Sequence, residues 1–335
     1  MPFISEILSH QSVSIVGIAK NTGKTECLNY ILKRLRTVDV PIAITSIGVD
    51  GEQTDSVTAT PKPEIILPKG VIFVTSEKHF FQKKLLAEIL DVSEARTSLG
   101  RLVTARALSE GKALLSGPAD TAGIKAVISQ MTRLGVKTTL VDGALSRLSL
   151  ASPAVTDALI LATGAAVSAN IPQLVRKTLY VKRLIELERV ELPLAQKLQL
   201  LKKGLWAVDS RGEVHDLEIP SVFLLDNRQG DVFRFGTRVY VSGAVSDKLL
   251  RFLRLQKKQV ELIVHDFSKV FASQEEFDLF LKDGNTVKSC TKNKLIAVTV
   301  NPVSPNGICL NSELLQQEMS NALNVPVYDV RKIKI

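Results

Sequence analysis

The sequence predicts an α/β chain. A doubly wound, mostly parallel sheet is followed by a second, smaller α/β domain. Three observations carry this. The apolar run "SVSIVG" passes through a polar loop at residues 17–25 into "GKTECLNYILKRLRTV", where apolar residues recur at helical spacing. Short apolar runs and helical stretches then alternate as far as residue 187. Beyond residue 204 the alternation starts again.

Taken in order, "SVSIVG" is a strand, "GKTECLNYILKRLRTV" a helix and "VPIAITSIG" a second strand. The polar, proline-bearing "DGEQTDSVTATPKPE" is a loop. "GVIFVTS", "RLVTARAL" and "KALLSG" are strands, and "TAGIKAVISQMTRLG" is a helix. "VKTTLVDG" and "TDALILATG" are short apolar runs ended by Gly, as buried strands are. Such alternation gives parallel strands with helices on both faces. "NIPQLVRKTLYVKRLIELERVELPLAQKLQLLKKG" reads as a closing helix and connector. After it, "LWAVDS", "IPSVFLL", "RVYVSG", "VELIVHD", "LIAVTVNP" and "VPVYDV" are strands, with helices near 246–256, 274–282 and 312–323. The predicted division is a nucleotide-binding domain at 1–187, a helical connector at 188–204 and a smaller α/β domain at 205–335, where a partner is expected to bind.

The bulk numbers exclude several classes. With 335 residues, 45% hydrophobic and 23% charged, the chain has globular composition. No apolar run reaches the ~18 residues of a membrane span, and "MPFISEILSH" lacks a signal peptide's charged-then-apolar order. Cys27, Cys290 and Cys309 have no CxxC or CxxH spacing, so a reduced, cytoplasmic setting without structural zinc is expected. The net charge of +9 raises the nucleic-acid question. The basic residues, however, sit on helical stretches such as "RFLRLQKKQ", aromatics are only 5%, and no nucleic-acid motif is present. Nucleic acid is therefore disfavoured.

A phosphate loop needs inward-facing amides, a Lys for the outer phosphates and a Ser or Thr hydroxyl for Mg²⁺. Gly23, Lys24 and Thr25 supply these at a helix start, directly after a buried strand. Gly17 lies one residue farther upstream than in the common form, giving G-x5-GKT. Residues Gly17, Lys20, Asn21, Thr22, Gly23, Lys24, Thr25 and Glu26 are the candidate nucleotide contacts. Asp50 follows the second strand at the carboxyl edge of the sheet, where it, Glu52 or Asp55 is placed to join Thr25 on Mg²⁺; a solvated acidic loop is the alternative. Asp142 ends "TTLVDG" as a strand-end carboxylate on the magnesium side, or else caps a turn. Lys24 and Asp142 are the candidate catalytic pair, and Thr25, Asp50 and Asp142 the candidate metal ligands. Arg147 is placed to stabilise phosphate charge or to make a surface ion pair.

The remaining polar residues carry less. "TKNK" lacks the Asp of a guanine-reading loop, which favours ATP over GTP. His10, His79, His215 and His265 share no metal-ligand spacing and read as structural or solvated. Cys27 reads as a buried, inert thiol. Gly243 and Ser246 read as a plain N-cap, with a second anion site as the alternative.

The G-x5-GKT loop resembles those of dethiobiotin synthetase and of the cobyric and cobyrinic acid amide-forming enzymes. Taken with "TSIGVDGE", "LVDGALSR", "DALILATGA" and "AVTVNPVSPNG", "VGIAKNTGKTECLN" resembles the smaller subunit of lysine 5,6-aminomutase reactivase over about residues 12 to 330. The resemblance implies an ATP-binding subunit, with ATP and Mg²⁺, that works beside a MutS-like ATPase subunit. Together they would release damaged cobalamin from adenosylcobalamin-dependent lysine 5,6-aminomutase. Two alternatives stand beside it: a dethiobiotin-synthetase-like enzyme that activates a carboxylate with ATP, and an adaptor that binds nucleotide without turnover.

Overall fold

The computed structural model describes residues 2–50, 64–144, 155–201, 203–220 and 232–333, without the side chains of Val49, Asp50, Ala95 and Ala144. The elements run α1 (Ile4–Leu8), β1 (Ser12–Gly17), α2 (Lys24–Leu35), β2 (Ile42–Ser46), β3 (Val49–Asp50), β4 (Ile66–Leu67), β5 (Ile72–Ser76) and α3 (Glu77–Gln82). Next come β6 (Ala87–Thr97), β7 (Gly100–Ala107), β8 (Gly111–Lys112), β9 (Leu115–Ser116), α4 (Thr121–Arg133), β10 (Thr138–Ala144), β11 (Ala158–Gly164) and α5 (Ile171–Ile185). They are followed by α6 (Leu192–Gln199), β12 (Leu205–Val208), β13 (Val214–Ile219), β14 (Arg238–Val241), α7 (Asp247–Leu255), β15 (Glu261–Val264) and α8 (Gln274–Lys282). The last are β16 (Thr286–Ser289), β17 (Lys294–Asn301), α9 (Ser312–Leu323) and β18 (Val327–Tyr328).

The fold is α/β, with a large, mostly parallel mixed sheet of nine strands in the order β18-β17-β11-β1-β10-β2-β5-β7-β6. All neighbours from β18 to β5 are parallel; β7 runs antiparallel to both β5 and β6. Every residue of β1, β2, β5 and β11 is buried, because helices cover both faces. Alternation within the strands divides the core. Ile42, Ile44 and Leu140 join Cys27, Leu28 and Ile31 of α2. Ala43 joins Val127 and Met131 of α4, and Val141 joins Ile124 and Ile128.

The division of the chain differs from the expected one. One unit is Met1–Leu179 with Lys294–Ile335, and the other is Tyr180–Asn293. The expected strands "LIAVTVNP" and "VPVYDV" exist as β17 and β18, but they extend the first sheet beside β11. The reason is burial: Leu295 to Val300 form an uninterrupted buried run, which suits an interior strand covered on both faces.

The second unit holds a five-stranded sheet ordered β13-β12-β14-β15-β16, with β14, β15 and β16 parallel and joined through α7 and α8. Residues 188–204 are no mere connector, since Leu194, Ala195 and Leu198 of α6 pack on Val208, Tyr240 and Ile263 of this sheet. Its strands β13 and β16 are short and carry no apolar run. "KALLSG" likewise resolves into the two-residue strands β8 and β9 outside the main sheet. The edge strand β6 has a different disguise, because Leu85, Leu86, Ile89 and Leu90 recur at helical spacing. Pairing with β7 overrides that pattern, with Gly100 at φ 95° turning the hairpin.

Candidate functional site

β1 and β10 lie side by side with Ile15 opposite Asp142, so both strands deliver their carboxyl ends to one edge of the sheet. Ligands of open α/β sheets bind at that edge. Leaving β1, the chain folds back on itself. A Cβ on Gly17 would stand 2.7 Å from Thr22 Oγ1 and 3.2 Å from the Ala19 carbonyl oxygen, so the close approach requires glycine. The Thr22 hydroxyl donates to that carbonyl at 3.0 Å. Asn21 (φ 60°) and Gly23 (φ 85°) both take left-handed backbone, which Asn tolerates and Gly adopts without strain.

Gly23, which has no side chain to offer, is the N-cap of α2, and among the described residues no side-chain capping bond is made at the start of that helix. Its leading amides therefore face outward at the positive end of the helix dipole, an arrangement that favours an anion. Beside them Lys24 Nζ meets Asp142 Oδ1 at 2.8 Å; Asp142 is 2% exposed and Lys24 17%. The Asp142 carbonyl is fixed by the Ile47 amide at 2.9 Å and the Ser46 hydroxyl at 3.3 Å. The buried carboxylate thus holds the ammonium at the mouth of the loop, where an arriving anion would compete for it.

Of the other expected site residues, Thr25 is half-buried in the first turn of α2 and Lys20 is exposed on the loop. Glu26 pairs with Arg331, Oε1 to Nη2 at 2.6 Å. The backbone of Asp50 pairs with Leu115; its carboxylate, together with Glu52, Asp55 and Arg147, lies outside what the structure describes.

Several residues at this edge were not marked by the sequence. A small recess, open to solvent, lies beside the loop and is lined by Thr22, Gly23 and Glu26. Thr299, Val300 and Asn301 and residues 329–331 complete its lining. The Asn301 amide donates to the Asn21 carbonyl at 3.1 Å, while its Oδ1 accepts from the Val303 amide at 3.2 Å. A Cβ on Gly23 would come within 3.0 Å of Asn301 Cβ. Buried Asp329 accepts from Ser312 Oγ at 2.6 Å and from the Arg331 amide at 3.1 Å, so the turn at 329–331 is braced. These residues lie roughly 280 positions from the loop, and a run such as "LIAVTVN" does not say which sheet it will join. Its continuous apolar character, like that of "ALILATG", is the signal for an interior strand.

Cys27 lies under the loop in α2, fully buried, and burial pushes its thiol up to about 12 against a hydrogen bond with Thr299. It is an inert core thiol, as expected. The histidines are dispersed. His79 is buried against Ser116 Oγ, His215 meets Asp209, His265 meets Tyr240 and His10 lies near Glu6. Ser246 occupies the N-cap position of α7, but its side chain makes no capping bond. Among the described residues there is no group of three or more His, Cys, Asp or Glu side chains placed to hold a metal ion, and no helix long and apolar enough to cross a membrane.

No family model, curated protein or solved structure matches the chain.

Proposed function

We propose that the chain is a P-loop nucleotide-binding protein that takes Mg²⁺·ATP at the start of α2. We further propose that it serves as the ATP-binding subunit of a reactivating factor for adenosylcobalamin-dependent lysine 5,6-aminomutase, acting with a MutS-like ATPase subunit. The observation that supports nucleotide binding is the Lys24–Asp142 pair at 2.8 Å beside an uncapped helix start entered through left-handed Gly23. The reactivase role rests on the resemblance of the quoted sequence stretches.

In this reading the amides of the loop and of the first turn bind phosphate oxygens, and Lys24 transfers from Asp142 to the outer phosphates. Thr25, Asp50 and Asp142 offer the hydroxyl and carboxylate oxygens that Mg²⁺ takes as a hard cation. Magnesium, when bound, neutralises phosphate charge and orients the nucleotide. The residues of the recess receive the nucleoside end, with Asn301 braced against the loop backbone. Gain and loss of the outer phosphate would then move Lys24 between two partners, a switch that a partner subunit can sense.

Titration calorimetry of the full chain with Mg²⁺·ATP, beside Lys24→Ala, tests the first claim. Heat with the unaltered chain and its loss in the variant are expected; no heat with either removes nucleotide from the reading. The second claim predicts ATP-dependent release of cobalamin from inactivated aminomutase when this chain and the large subunit are both added. Equal release without this chain refutes it.

A further inference from the structure

Glu26 is the expected nucleotide contact that the geometry directs away from the phosphates. It stands in the first turn of α2, yet its carboxylate is committed to Arg331, Oε1 to Nη2 at 2.6 Å. Both residues line the recess, Glu26 from the first turn of α2 and Arg331 from the turn after β18. The backbone on the Arg331 side is fixed, since the buried Asp329 carboxylate takes the Arg331 amide at 3.1 Å and the Ser312 hydroxyl at 2.6 Å. The Arg331 side chain is 61% exposed, so it stands at the rim of the recess, open to an occupant. The hydrogen bond to Glu26, and then its charge, hold the Arg331 guanidinium above its usual range.

In the nucleotide reading the phosphate chain is held by the loop amides and by Lys24, which leaves Arg331 for the rest of the ligand. A nucleoside carries a flat π-system and acceptor atoms, and a guanidinium with one donor pinned by a carboxylate keeps its planar face and remaining N–H groups for both. We propose that Arg331 is a specificity-determining residue of the nucleotide site, engaging the nucleoside end, and that Glu26 is the positioning residue that aims it. The inference rests on the nucleotide-binding reading and sharpens it: this site takes a nucleoside triphosphate in preference to inorganic triphosphate.

Affinities of the full-length chain for Mg²⁺·ATP and for Mg²⁺·tripolyphosphate, measured by calorimetry, test it. Arg331→Ala is expected to weaken ATP roughly tenfold, the scale of one desolvated cation–π or charge-assisted contact, and to leave tripolyphosphate within about twofold. Arg331→Lys should fall between, and Glu26→Gln should weaken ATP less than Arg331→Ala does. A structural role alone would move both ligands together, so equal losses for ATP and tripolyphosphate overturn the proposal. So does unchanged ATP affinity in Arg331→Ala while Lys24→Ala abolishes it, and in that case the nucleotide reading survives. If the unaltered chain binds neither ligand, the reading and the inference fall together.

Discussion

Replacing Lys24 by Met separates two things that one residue does. Its ammonium lies 2.8 Å from a carboxylate only 2% exposed, so its removal leaves a buried charge without this partner. Breaking a buried ion pair from one side costs about 3–5 kcal/mol. Lys24 keeps 17% of its side-chain surface, which lets water reach the pair and favours the low end, about 3 kcal/mol. For a unit of this size that corresponds to a fall in Tm of roughly 6–12 °C. Adding Asp142→Asn removes the buried charge, so the double variant should recover about 2 kcal/mol of the loss, a coupling expected for residues in contact. Nucleotide binding should not recover, because the ammonium is still missing. Urea denaturation of the four proteins of this cycle, with calorimetry on each, measures both effects. If Lys24→Met unfolds at the same urea concentration as the unaltered chain, or if the double variant is less stable than Lys24→Met, the buried pair is not what holds Lys24 in place. That part of the reasoning would then fail.

Three further outcomes follow from the same geometry. A Cβ at Gly164 would stand 2.1 Å from the Asn301 carbonyl oxygen and 2.9 Å from its carbon, so Gly164→Ala should cost about 3 kcal/mol or more and show as a lowered urea midpoint, since backbone cannot move aside as a side chain can. Burial raises the Cys27 and Cys290 thiols to about 12 from an unfolded value near 9. The native chain therefore holds more protons than the unfolded one between those values, and stability should fall as pH rises from 9 towards 12; Cys27→Ala should lessen the slope of unfolding free energy against pH. Burial, and then Lys78, lower the His79 pKa below its usual 6.5, so the native state binds fewer protons there. Stability should fall as pH drops below about 6.5, and His79→Gln should flatten that limb of the urea-midpoint profile.

The phosphate-loop candidate was legible because its residues are contiguous and its requirements are local. Gly17 and Gly23 stand where close approach and positive φ demand them, and Lys24 follows a buried strand at the start of a helix. Asp142 was legible for a related reason, since "TTLVDG" ends an apolar run and its neighbour in the sheet is β1. Edge and short strands were less so. The stretch leading into β6 carries apolar residues at helical spacing, and β13 and β16 bury only alternate residues or fewer. Nothing local in them outweighs a loop.

By itself, the sequence determined the α/β class, most interior strands and the loop with its lysine, because backbone preference and burial periodicity act over a few residues. Only the tertiary structure decided that β17 and β18 return to the first sheet, past a whole inserted unit, and bring Asn301 and Arg331 to the loop. An apolar strand can pair with any open edge of suitable length. Which edge it joins depends on what the rest of the chain has already buried, and that information is spread over the whole fold.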